Sequence, residues 1–225
     1  MFTMFKTFPN LSQYFLLQKS NRVFFLGLSL LLLLMAQPAT AHHVFGGRTP
    51  ANFFEGFLSG LAHPIIGLDH FAFVVSMGLI AAGIVNGMGI IIAFLLAAML
   101  GTGIHLISFN LPIPEVAIAL SVITIGILLI LKKQLPLTIL ISLATVAGLF
   151  HGYAYGESIM GAEMTPLISY LAGFTVIQMV IAGATMKLAQ SFQQTLENRQ
   201  LPLIKYSGFA VLAIGVIALS SAITG

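Results

Sequence analysis

Long runs of apolar residues, almost free of charge, constrain this chain more than any other feature. The stretches near Gly89–Ser108, Glu115–Leu131, Leu135–Ala154, Thr165–Lys187 and Leu203–Ala222 each approach or exceed the roughly 20 residues a helix needs to cross a bilayer. In hydrocarbon every backbone N–H and C=O must find a partner within the protein, and a helix provides that within one segment. Only 7% of the residues are charged and 58% are hydrophobic, against about 25% charged in soluble domains. The expected fold is therefore all-α: a polytopic membrane bundle with six spans, whose immediate environment is the lipid bilayer.

The sixth span is the first in order, and it is irregular. Phe53 to Gly83 would reach about 46 Å as one straight helix, against a hydrocarbon core of about 30 Å. A short piece up to Ala62, a break around Pro64 and Gly67, and a helix from Leu68 to Gly83 fit better. The spacings Gly56-x-x-x-Gly60 and Gly148-x-x-x-Gly152-x-x-x-Gly156 suit close helix packing in lipid, and would bring His151 within reach of another helix.

Residues 1–41 read as a cleavable signal peptide and residues 42–225 as the six-helix domain. Lys6, Lys19 and Arg22 form a basic leader, Val23 to Ala36 an apolar segment, and Ala39-Thr40-Ala41 a small-x-small cleavage site. With the mature N-terminus outside, the inner loops carry Lys132, Lys133, Lys187, Arg199 and Lys205, and the outer loops carry Glu115, Glu157 and Glu163. That bias obeys the positive-inside tendency, with Arg48 as an exception, and places both mature termini on the periplasmic side of an inner membrane. The leader supplies three of the nine basic residues, leaving six against six acidic ones, so basicity gives no indication of nucleic acid. Absence of cysteine excludes disulfides and thiolate ligands. A bound metal would use nitrogen and oxygen.

The chemistry is concentrated in His63-Pro64-Ile65-Ile66-Gly67-Leu68-Asp69-His70, which sets two imidazoles and the sole aspartate inside an apolar segment. Ionisable groups are costly in lipid and tend to mark a pathway or a site, and imidazole with carboxylate suits divalent transition metals. Seven helical positions bring His63 and His70 to the same face but leave them about 10.5 Å apart along the axis. Two metal–nitrogen bonds of about 2.1 Å cannot span that from a straight helix. A break between the two removes the obstacle, and broken helices recur at the ion sites of transporters. Asp69 could ligate or orient an imidazole. His42, His43, His63, His70, His105 and His151 are all the histidines, and each falls in the outer arm or the outer half of a span. Glu157 shares that zone. Glu55 and Glu115 read as interfacial, and Met77, Met88 and Met99 as core.

His63 to His70 resembles the HPxxGxDH signature of the HupE/UreJ family of nickel/cobalt permeases. Phe150-His151-Gly152-Tyr153-Ala154-Tyr155-Gly156-Glu157 is similar to that family's second histidine-glycine motif, and the leader, the histidine after it and the six spans are also similar. The resemblance covers the chain from His42 onward. It implies uptake of Ni2+ or Co2+ across a bacterial inner membrane, with the ion as transported substrate and no tightly bound cofactor. The expected metal-contacting residues are His63, Asp69, His70, His105, His151, Glu157, His42 and His43. Neutral imidazole is the competent ligand, so binding should weaken as pH falls towards about 6.5. The absence of GxxxxGK[ST] means that this chain does not itself hydrolyse ATP. A homo-oligomer is compatible with all of this. The rival readings are an intramembrane zinc-dependent hydrolase assisted by Ser76 or Ser108, and a metal-sensing or assembly subunit of a membrane complex.

Overall fold

The computed structural model describes residues 48–131, 135–195 and 200–224. The expected signal peptide, and His42 and His43 after it, lie outside the described residues. Those residues form seven helices: α1 (Phe53–Ile66), α2 (Leu68–Ala82), α3 (Met88–Leu106), α4 (Pro114–Leu131), α5 (Leu137–Glu157), α6 (Met164–Thr195) and α7 (Gln200–Thr224). Five are long and apolar enough to cross a membrane alone, and α1 with α2 makes a sixth span bent by 80°. The protein is a multi-pass membrane helical bundle.

The bend falls within the expected Pro64–Gly67 stretch, but α1 is longer than expected. Helix α1 does not stop at Ala62; it carries His63 and Pro64 within it and reaches Ile66. Proline removes one backbone donor but its fixed φ is helical, and Pro64 lies in the last turn of α1, next to the break. The break is at Gly67, which ends α1 and begins α2 with φ −70° and ψ 101°. A Cβ on Gly67 would press on Cδ2 of His70 at 2.8 Å. Glycine is needed here because the imidazole folds back over the bend. Helix α5 also runs further than expected, through Tyr155 and Gly156 to Glu157, so the second motif is wholly helical.

Glycines set the helix pairing. A Cβ on Gly56 or Gly60 would strike the backbone of Pro166 or Tyr170, and one on Gly78 would strike Ala182, so the α1–α2 span lies parallel to α6. Gly148 and Gly152 meet Phe94 and Ala98 while Gly101 meets Leu149, so α3 and α5 are parallel. Gly126 meets Leu212 and Gly208 meets Ile130, so α4 and α7 are antiparallel. Without a hydrophobic driving force between spans, such backbone approach is a main source of cohesion in lipid.

These directions give the bundle two distinct ends. One holds the N-terminus of α1, the 107–113 connection and the 158–163 connection; Thr49 Oγ1 reaches Met160 O across it at 3.5 Å. Below it is called the histidine end. The far end holds residues 83–87 and the C-terminal part of α6. Helix α6 has 32 residues, about 48 Å of helix, so it outlasts a hydrocarbon core, and exposed Lys187 lies in its last turns. The main apolar core lies between the histidines and the far end, with Phe73, Met77, Ile90, Phe94, Val122 and Met186 among its buried members.

Candidate functional site

The bend brings together what a straight helix would hold apart. The rings of His63 and His70 stand with centroids 5.8 Å apart, stacked within 25°. Helix α5 supplies His151, whose Nδ1 lies 2.9 Å from Nδ1 of His70. All three imidazoles are buried, His151 completely. Three helix segments thus converge on one cluster below the histidine end. Asp69 sits beside it, half-buried; its Oδ1 accepts the His70 backbone N–H at 2.8 Å and lies 3.9 Å from His70 Nδ1. A carboxylate in the first turn of α2 also faces the positive end of that helix's dipole.

Hydroxyl groups hold two of the rings. Ser158, just past the end of α5, binds His63 Nδ1 at 2.8 Å. Ser121 on α4 binds His151 Nε2 at 3.0 Å. Aromatic side chains wall the cluster: Tyr155 stands edge-on to His63 and His70, at 5.0 and 4.8 Å, and Phe73 packs on His151 at 4.4 Å. His151 and Tyr155 are four residues apart on α5, so they share a face. Tyr170 of α6 closes the wall, donating its hydroxyl to Tyr155 O at 2.8 Å. Beside His151 lies a cleft of about 280 Å3 between α2, α3, α4 and α5, apolar but for Ser121 and Thr124.

The remaining expected residues lie elsewhere. His105, in the last turn of α3, packs on Tyr153 at 4.4 Å and against the Cα of Gly156. Tyr153 is two positions from Tyr155, about 200° round the helix, so His105 occupies a different face of α5. Its Nδ1 is buried without a hydrogen-bond partner. Glu157 is exposed at the end of α5. Glu55 accepts the Ala51 N–H at 2.9 Å and pairs with Arg48 at 3.5 Å, an end-of-helix role. Among the described residues no three His, Asp or Glu side chains are arranged to hold an ion together; His70 and His151 are hydrogen-bonded to each other instead.

Sequence reasoning passed over Ser121, Ser158, Tyr155, Tyr170 and Gln178. Tyr155 carried a signal, as the residue one turn after His151. Gln178 carried another, as the single amide in its span. Ser121 and Tyr170 carried none, because only tertiary packing brings them to the histidines.

The family described as HupE / UreJ protein matches residues 30–218. Protein HupE of Rhizobium leguminosarum bv. viciae is 29% identical over 150 residues, which cover 65% of this chain and 74% of that protein. No solved structure matches. With a family match running from before the first motif into the last helix, the chain belongs to the HupE/UreJ family.

Proposed function

We propose that this protein is a permease, not an enzyme, and that it carries Ni2+ or Co2+ from the periplasm across a bacterial inner membrane. One observation carries the proposal: three imidazoles from three helix segments are buried together where a membrane span breaks. Polar groups buried within a bundle at a broken helix are the pattern of an ion pathway, and imidazole is a ligand type that nickel and cobalt accept.

The geometry supports a route. Glu115, Glu157 and Glu163 are exposed at the histidine end, where they attract a cation. Lys187 and Lys205 flank the α6–α7 connection at the far end, which suits a cytoplasmic face. Two nitrogens at about 2.1 Å from one ion, at right angles, stand about 3.0 Å apart. His70 and His151 already have that separation. Turning the two rings so that their lone pairs meet at an ion therefore requires little helix movement. Asp69 adds the negative charge that a divalent ion needs in a low-dielectric setting. His63, held back by Ser158, joins when its ring swings from the hydroxyl. Few charged ligands make a weak site, which lets the ion leave again.

The test is uptake by purified protein in liposomes. Ni2+ or Co2+ should accumulate faster than in protein-free vesicles, and His70→Ala should abolish the difference. Liposomes holding folded protein that admit neither metal, at any inward gradient or membrane potential, would overturn the proposal.

A further inference from the structure

Beyond the histidines, towards the far end, a polar side-chain contact between α5 and α6 is buried in a largely apolar interior. The hydroxyl of Tyr155 donates to Oε1 of Gln178 at 3.3 Å, and Nε2 of Gln178 donates to Phe174 O at 3.0 Å. Both side chains are completely buried. The Phe174 carbonyl can only accept, so it must face the amide nitrogen; this fixes the amide oxygen on Tyr155 and makes the phenol the donor. Helical side chains lean towards their own N-terminus. Helix α5 ends at the histidine end, so Tyr155 leans inward from it, and α6 starts there, so Gln178 leans back to meet Tyr155. The same Tyr155 ring lies edge-on to His63 and His70. The contact thus occupies the floor of the histidine cluster. Past it lie Met77, Ala182 and Met186 of the apolar core.

Resting on the permease reading, we propose that Tyr155 and Gln178 form the inner gate and the next station on the path: the ion passes from the imidazoles to the phenol oxygen and the amide oxygen when their mutual hydrogen bond opens. A buried amide is costly unless its partners are satisfied, and while the gate is closed Tyr155 and Phe174 satisfy it. Neutral oxygen donors hold nickel or cobalt less tightly than imidazole does. The ion therefore steps to weaker ligands as it moves inward, which favours release.

The test uses the full-length protein with Ni2+ as the probe. Equilibrium Ni2+ binding is measured in detergent, and initial uptake rates in liposomes, for wild type, Gln178→Met and Tyr155→Phe. Both substitutions keep shape and remove the gate's polar atoms. The expected result is Ni2+ affinity within about twofold of wild type, with the maximal uptake rate lowered about tenfold or more. If both variants transport at wild-type rates, the gate is wrong and the permease reading stands. If both lose Ni2+ binding together with transport, the pair only holds the bundle together, and the inference is overturned. If wild type binds Ni2+ but does not transport it, the permease reading falls and the gate with it.

Discussion

The 2.9 Å bond between Nδ1 of His70 and Nδ1 of His151 has a direction that the neighbouring serine sets. Ser121 donates its single hydroxyl proton to Ile118 O, at 2.7 Å. Towards His151 Nε2, 3.0 Å away, Ser121 can then only accept. His151 is thereby the Nε2–H tautomer with its lone pair on Nδ1, and His70 must donate from Nδ1. The lone pair that the proposed ion site requires of His151 already faces His70. Ser121, on a fourth helix, decides which nitrogen of His151 carries the lone pair.

Ser121→Ala removes that instruction while leaving the apolar packing of α4 intact. Outer groups of this kind commonly contribute about 10- to 100-fold in metal affinity. Ni2+ affinity, measured by equilibrium dialysis in detergent, should fall about tenfold. An unchanged affinity would show that His151 selects its tautomer without Ser121.

One substitution separates the hydrogen bond of Asp69 from its charge. Asp69→Asn keeps an oxygen able to accept the His70 N–H but loses the charge. Thermal stability in detergent should stay within about 1 kcal/mol of wild type, because the hydrogen bond to the His70 N–H is retained. Ni2+ uptake should fall about tenfold or more, because the charge is gone. Unaltered uptake would leave Asp69 only its hydrogen bond to the His70 backbone.

Glycines that look alike in the sequence should respond differently. A methyl on Gly152 would strike the carbonyl of Ala98, whereas one on Gly103 meets nothing within 4 Å. Gly152→Ala should therefore destabilise the α3–α5 pair by about 1–3 kcal/mol, the usual overpacking cost, lowering the midpoint of thermal unfolding followed by size-exclusion chromatography. Gly103→Ala should be neutral or slightly stabilising, since alanine is the better helix former by up to about 1 kcal/mol. Equal effects would contradict the pairing of α3 with α5.

The absence of native cysteine makes orientation directly measurable. Phe109→Cys lies at the histidine end and Val85→Cys at the far end, both at exposed positions. In intact cells with a permeabilised outer membrane, an impermeant thiol reagent should label the Phe109 variant and spare the Val85 variant. The reverse pattern would invert the proposed direction of uptake.

The fold was legible wherever one local rule governed it. Apolar length alone located α3 to α7 to within a few residues of most ends, except that α6 runs on to Thr195 where Lys187 was the expected limit. It also required the first span to be bent. Which residue carried the bend was not legible, because Pro64 and Gly67 both break helices in general, and the crowding of the His70 ring against Gly67 exists only in three dimensions. At the site, the seven-residue spacing of His63 and His70 announced a shared face, and the glycines around His151 announced a close helix. The sequence did not separate His105 from the others, since its segregation to the same end of the bundle says nothing about which face of α5 it meets. Ser121 and Ser158 were invisible for the same reason: each reaches its histidine from a segment remote in the chain.

X-ray absorption at the nickel edge of Ni2+-loaded protein reads out whether the clustered imidazoles bind the ion. Wild type should show two or three imidazole nitrogens at about 2.1 Å, with one fewer in His151→Ala and one fewer in His70→Ala. A spectrum with oxygen ligands alone, or one that neither substitution changes, would contradict it.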